Sequence, residues 1–300
     1  MKKIQMKLAI IVNPRAGRGR AWRKLRRHLK KWSRKNWEVE VHLTSCSGHA
    51  GVIAQDLLEN PPDLLVVCGG DGTLNEIVTL APDPPFPIGL IPAGTANVLA
   101  RELGLPLDPV QALDVSLTGT VRRVDLGILT GRSAYRFLLM AGIGFDARVI
   151  WKSSQRLKNM FGVLAYYQSA IQSLLTYSFP VFQVETEGEH FSTAACIIAN
   201  ARGYGGGLVL TPEADISDGM LDIVALEGGT RLEYAKFVFS AWRGRPGTYP
   251  WVKRARTKAV RAEGPRGIWA QVDGELAGTL PLEIGVVPAS FPLMVPSSWK

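Results

Sequence analysis

Apolar residues in the first third of the chain fall in short runs, each followed by a stretch with helical spacing. Leu8–Val12 leads into a basic segment, Arg18 to Lys35, where Trp22, Leu25, Leu29 and Trp32 recur at helical intervals. Glu38–Leu43 precedes Ala50–Leu58, Leu64–Cys68 precedes Leu74–Thr79, and Ile88–Ile91 precedes Ala96–Leu103. Strands alternating with helices in this way predict a parallel α/β sheet. Gly104 and Pro106 end the last of these helices, and Gly119 marks the exit.

From Val121 the pattern changes to closely spaced strands: Val121–Thr130, Tyr135–Ile143, Val181–Glu187, Phe191–Asn200, Met220–Glu227, Lys253–Ala262, Gly267–Asp273 and Leu280–Val287. These predict an antiparallel β-sandwich, interrupted by helical insertions from Arg148 to Tyr177 and from Leu232 to Trp242. The expected domains are 1–120, α/β, and 121–287, sandwich. A terminal strand within about 288–300, centred on Phe291–Val295, is expected to return to the first domain. No repeat or low-complexity linker appears.

Composition narrows the class. The 300 residues suffice for two cores, and no apolar run is long enough to cross a bilayer. Met1-Lys2-Lys3 has the look of a leader's start, but Leu8–Val12 is too short for one and ends in Asn13-Pro14, so it reads as a first strand. The three cysteines are scattered, which argues against a disulfide framework and points to a reducing, cytoplasmic setting; the four histidines lack metal-ligand spacing. A net charge of +9 implies an anionic partner: nucleotide, acidic lipid surface or nucleic acid. No nucleic-acid recognition motif supports the last.

The chemistry concentrates at Gly69-Gly70-Asp71-Gly72-Thr73-Leu74-Asn75-Glu76, between an apolar strand and a helix. Such a junction aims unpaired N–H groups and a positive helix end at one spot, and glycine lets a bulky anion approach. Thr73 and Glu76 also have capping-box spacing, the plain structural alternative. Asp71 is not explained that way: a carboxylate in an anion cradle calls for Mg²⁺ between it and phosphate. Two more glycine loops, Asn13 to Gly17 and Pro92 to Asn97, leave the carboxyl ends of strands and would converge on the same crevice. Thr44 adds a hydroxyl at that edge, or serves as a helix N-cap.

Gly142-Ile143-Gly144-Phe145-Asp146-Ala147 imitates a dinucleotide fingerprint, yet no acid occurs between Asp146 and Glu185 to hold a ribose. No Gly-x-x-x-x-Gly-Lys-Ser/Thr is present either. Later, Asp215-Ile216-Ser217-Asp218-Gly219-Met220 has the form of an oxygen-liganded cation loop or a hairpin turn. Gln271-Val272-Asp273-Gly274-Glu275 places acids at i and i+2, on one side if the strand runs through them, as a general base with a supporting carboxylate would require. A hairpin turn is again the alternative.

In this order, these motifs resemble those of the bacterial diacylglycerol-kinase-like lipid kinases, whose catalytic domain is shared with eukaryotic diacylglycerol and sphingosine kinases. The resemblance runs over nearly the whole chain and includes Thr44 with Gly48-His49-Ala50, Tyr204 to Gly207 with Pro212, and Asp273-Gly274-Glu275. It implies a phosphofructokinase- and NAD-kinase-like ATP domain followed by a β-sandwich, with the active site in the cleft between them. Carried over, Asn13, Pro14, Arg15, Ala16, Gly17, Thr44, Gly70, Asp71, Gly72, Thr73, Leu74, Asn75, Glu76 and Thr95 would hold ATP and its Mg²⁺. Asp218, with backbone oxygens of Asp215 and Met220, would hold a structural Mg²⁺, and either Glu275 or Asp273 would be the base. Many members read Gly-Asn-Asp where this chain has Ala96-Asn97-Val98, so that loop lacks a carboxylate.

The expected activity is ATP-dependent phosphorylation of a membrane lipid hydroxyl, diacylglycerol foremost, by a protein held peripherally at an anionic bilayer. The basic helix and Tyr249 with Trp251 are candidates for that contact, and a homodimer is compatible. The alternatives are a soluble NAD-kinase-like phosphotransferase and a non-catalytic lipid-binding protein on a kinase fold.

Overall fold

The computed structural model describes residues 6–31, 37–152, 163–228, 230–244 and 246–299. The chain divides into two compact units, 1–124 with 289–300, and 125–288.

In the first unit, β1 (Met6–Val12), β2 (Trp37–Leu43), β3 (Leu64–Gly69) and β4 (Ile88–Pro92) form a parallel sheet in the order β2-β1-β3-β4. The central strands β3 and β4 are buried throughout, which explains their unbroken apolar runs. α1 (Arg20–Lys31) turns Ala21 and Leu25 into the core, with Trp22 and Leu29 packed against it. Its Arg23, Lys24, Arg26 and Arg27 are exposed, so the apolar stripe is packing and the charge faces outward. Trp32 and Lys35 lie outside the described residues.

α2 (His49–Asp56), α3 (Asp71–Leu80) and α4 (Val98–Glu102) follow their strands. Sequence reading missed α5 (Pro109–Thr118). Its start is marked by the Asp108 side chain, which accepts hydrogen bonds from the N–H groups of Val110 and Gln111 at 3.0 and 3.3 Å, with Pro109 at the first helical position.

The second unit begins within β5 (Thr120–Thr130), which is followed by β6 (Ala134–Phe137), β7 (Met140–Gly144), α6 (Phe145–Lys152), α7 (Val163–Thr176), β8 (Phe182–Thr186), β9 (His190–Thr193) and β10 (Ala195–Ala199). Then come the short β11 (Gly203–Tyr204) and β12 (Leu208–Val209), β13 (Leu221–Leu226), α8 (Arg231–Trp242), β14 (Val252–Thr257), β15 (Ala259–Glu263), β16 (Trp269–Val272), β17 (Glu275–Thr279) and β18 (Leu282–Val295). One antiparallel sheet has the order β14-β13-β10-β7-β16-β17, and the first residues of β18 join β15, β8 and β9 in another. Side chains from both layers, among them Phe137, Phe182 and Val260 with Ile143, Ile198 and Ile223, share one core.

Three segments read as single strands are each two strands. Phe191–Asn200 breaks at Ala194, Lys253–Ala262 at Lys258 and Tyr135–Ile143 at Leu138-Leu139, and each pair divides between the two sheets. Two of these crossings carry the same device. Thr193 Oγ1 donates to Ala195 O and accepts from Ala195 N, and Thr257 Oγ1 does the same with Ala259. The third crossing is held by Asp273. The expected strands Leu280–Val287 and Phe291–Val295 merge into β18, whose final residues include Leu293 paired with Ile88 of β4. β17 was also missed, its Gly278 disguising it as a loop.

Candidate active site

Three loops meet at the carboxyl edge of the parallel sheet. A Cβ on Gly70 would stand 2.9 Å from Gly94 Cα, and one on Gly17 2.4 Å from Ala93 O, so these backbones approach to distances that only glycine permits. Ala93 N donates to Gly69 O at 2.8 Å, and Asn13 N to Cys68 O at 2.9 Å. The Asn13 amide also donates to Thr73 Oγ1 and its oxygen accepts from Arg15 N, tying the first loop to α3. Pro14, Arg15, Ala16 and Gly17 continue that loop into a short 3-10 turn.

α3 starts at Asp71, two residues before Thr73, with Gly70 as N-cap and no side-chain cap. The capping box that Thr73 and Glu76 offered as the structural alternative is therefore not formed. Glu76 instead accepts the Ala50 N–H at 3.1 Å and the Ser47 hydroxyl at 3.4 Å, at the start of α2. Asp71 accepts the Val98 and Leu99 N–H groups, both at 3.1 Å, at the start of α4. Burial raises the Asp71 carboxyl above the ordinary carboxylate range, and these N–H bonds oppose the rise. Asp71 and Glu76 thus bind neighbouring helix N-termini, while the start of α3 stays open: Gly72 has nothing within 4 Å of the place a Cβ would take.

Asn97, in a left-handed conformation, closes the loop lacking a carboxylate, its amide bonding both N–H and C=O of Gly94. Thr95 is exposed beside it. Thr44 is buried at the end of β2, and the N-cap of α2 is Gly48, so Thr44 is not a cap. Leu74 packs in the core. Asn75 is buried, and its Oδ1 has no hydrogen-bond partner among the described residues. A buried amide oxygen on α3 that lacks a donor fits a ligand hydroxyl or a cation.

In the second unit, Asp273 and Gly274 are both left-handed and connect β16 to β17 as a two-residue turn. The strand does not run through Asp273 and Glu275, so the i, i+2 argument for their facing one way fails. The Asp273 carboxylate accepts three backbone N–H bonds, from Leu138, Leu139 and Met140, at 2.8, 3.0 and 3.0 Å. Glu275 is exposed at the start of β17.

Behind this turn lies a polar network not anticipated from sequence. Asp146, whose fingerprint was set aside, is half-buried and accepts from Tyr204 Oη and from Gln271 Nε2, while Gln271 Oε1 accepts Gly274 N at 2.7 Å. Burial raises the Asp146 carboxyl, and both side-chain donors oppose it. A Cβ on Gly142 would come within 1.8 Å of Asp146 Oδ2, so that glycine makes room for a carboxylate, not a pyrophosphate.

The Asp215–Met220 segment is a loop preceding β13, with no Asp-Gly hairpin. Asp215 Oδ1 accepts from Ser217 N and Oγ, Asp218 Oδ1 accepts from Met220 N, and Asp218 Oδ2 pairs with Arg256. Gly219 N donates to Asp125 Oδ2 at 2.6 Å. Asp125 was missed; its one signal was a carboxylate inside the apolar Val124-Asp125-Leu126 run, where it is now 1% exposed. Among the described residues, no group of three or more His, Cys, Asp or Glu is arranged to hold a metal.

Residues 7–129 match the diacylglycerol kinase catalytic domain, and residues 140–295 the YegS C-terminal NAD kinase beta sandwich-like domain. A diacylglycerol kinase of Bacillus subtilis (strain 168) is 30% identical over 279 residues, covering 91% of either chain. One of Mycobacterium tuberculosis (strain H37Rv) is 30% identical over 297 residues, 97% of this chain and 95% of that one. Among solved structures, a diacylglycerol kinase of Bacillus anthracis str. Sterne superposes with a TM-score of 0.75 at 21% identity, covering 98% of both chains. With both domains matched in order and full-length relatives at this identity, the chain belongs to the diacylglycerol-kinase-like family of lipid kinases.

Proposed function

We propose that the protein transfers the γ-phosphoryl group of ATP, with Mg²⁺, to the hydroxyl of diacylglycerol, giving phosphatidic acid, while held at the surface of an anionic membrane. The observation that carries the nucleotide half is the convergence of three glycine loops on the open N-terminus of α3. The acceptor half rests on the family and on relatives that are themselves diacylglycerol kinases.

The residues have separable tasks. Backbone N–H groups at the start of α3 bind phosphate oxygens, Asn13 and Thr73 fix the loop that borders them, and Thr95 and Thr44 supply hydroxyls at the same sheet edge. Asp71 holds α4 in place through both oxygens, and its carboxylate is the group that would face the cation bound with the nucleotide. Mg²⁺ bound with ATP supplies charge neutralisation at the transferred group. The β16–β17 turn supplies the carboxylate that takes the acceptor's proton. Asp273 is the rigidly held candidate, and Glu275 the one whose carboxylate is exposed.

Asp215 and Asp218 have the all-oxygen donor chemistry that suits Mg²⁺, but an ion there competes with Arg256 for Asp218. No step of transfer is assigned to that loop. A panel of acceptors with labelled ATP tests the reading. Diacylglycerol is expected to be phosphorylated, and transfer to NAD with none to any lipid alcohol would overturn it.

A further inference from the structure

α8 has large apolar side chains on both sides. Its inner residues Tyr234, Phe237 and Ala241 are buried. Tyr234 lies 4.6 Å from the Phe179 ring and donates to Leu226 O, and Phe237 meets Trp251 edge-on at 6.4 Å. Trp251 stacks in turn on Tyr249, so these two aromatics serve packing. Those contacts account for how the helix is held.

The outer side remains unexplained by packing. Leu232, Phe239 and Trp242 are 64%, 57% and 56% exposed, and the rings of Phe239 and Trp242 lie 6.0 Å apart. Lys236 and Arg243 alternate with Leu232 and Phe239 along one exposed stripe of helical spacing. The helix has one acid, Glu233, and its carboxylate is engaged in a capping box with Thr230. The outward stripe therefore presents apolar groups and cations with no carboxylate among them.

A surface helix with one packed face ordinarily carries polar residues on the other. Aromatic and aliphatic groups interleaved with long cationic chains are instead suited to lying in a bilayer interface: rings sit at headgroup depth, ammonium and guanidinium tips reach lipid phosphates. The charge is complementary to an anionic leaflet.

We propose that the outer face of α8 docks on an anionic lipid bilayer, with Leu232, Phe239 and Trp242 inserted among the headgroups and Lys236 and Arg243 on their phosphates. The proposal rests on the reading that the acceptor is a membrane lipid. It assigns the apolar part of docking to the second unit, since the apolar residues of α1 face their own core.

The test is sedimentation of the whole protein with vesicles of phosphatidylcholine alone or mixed with phosphatidylglycerol. Phe239→Ser with Trp242→Ser is expected to lower partitioning onto the mixed vesicles by about tenfold or more, because inserted apolar area is lost. Lys236→Gln with Arg243→Gln should abolish the preference for phosphatidylglycerol and flatten the salt dependence. All four positions are exposed, so melting should be unchanged. Transfer to a soluble short-chain diacylglycerol should survive in both variants, which separates docking from the kinase reading: vesicle binding lost with that transfer intact supports the proposal. Wild-type binding in both double variants overturns it. So does a wild-type dimer that the substitutions dissociate while vesicle binding is unaffected, because the stripe would then be an interface between two copies.

Discussion

The acids that look catalytic in this sequence also hold its backbone together. Asp71 bridges to the N-terminus of α4, and Asp273 clamps the N–H groups of Leu138 to Met140. Removing such an acceptor leaves donors unsatisfied. Asp71→Asn is thus expected to lower melting temperature as well as turnover, the latter by about a hundredfold or more if the carboxylate also serves the metal–nucleotide. A variant that melts lower yet turns over normally would confine Asp71 to its structural role. At the hairpin the two acids separate by what each loses. Glu275→Gln should depress turnover by about a hundredfold or more with ATP KM and melting unchanged, whereas Asp273→Asn should lower both turnover and melting. Full activity in Glu275→Gln would assign proton acceptance to Asp273.

Asp222 bears on pH. Burial and the nearby Glu213 push its carboxyl up to about 6, against the pull of Arg254. A carboxyl whose folded pKa is raised binds protons more readily in the folded state, so it destabilises the fold as pH rises through the window from about 4 to about 6. Asp222→Asn should therefore gain stability relative to the parent between pH 4 and pH 7.5. A stability difference that does not move across this range, measured by denaturant midpoints, contradicts the assignment.

At the scale of elements, hydrophobic period located most strands but not their partners. A strand that crosses from one sheet to another keeps its period-two pattern through the crossing, so Phe191–Asn200 and Lys253–Ala262 read as continuous. The signals at the breaks, Thr193 and Thr257, are local hydrogen bonds that periodicity cannot register. The α5 start was legible in principle: Asp108-Pro109 is an N-cap followed by proline, standing just after the helix terminators Gly104 and Pro106. Its cap also pairs with Lys24 of α1, which holds the Asp108 carboxyl below the usual range. Asp108→Ala should cost about 1 kcal/mol in urea unfolding. No change would mean that neighbouring structure, not the cap, holds the helix.

For the whole molecule, the sequence carried the class of chemistry further than its geometry. The glycine loops were visible because their residue types are restricted by close backbone approach, as at Gly70 and Gly94. The Tyr204–Asp146–Gln271 network was not, since it joins residues distant in sequence whose meeting no local spacing records. The division into an α/β unit and a sandwich leaves the glycine loops and the β16–β17 turn on different units. The central claim joins them in one reaction. Its most direct measurement is the fate of label from γ-labelled ATP given with diacylglycerol, with and without chelator. The label is expected in phosphatidic acid, dependent on Mg²⁺, and absent when ATP carries the label at its α-phosphate. Label released only as inorganic phosphate, or retained in ATP under every condition, would contradict the account.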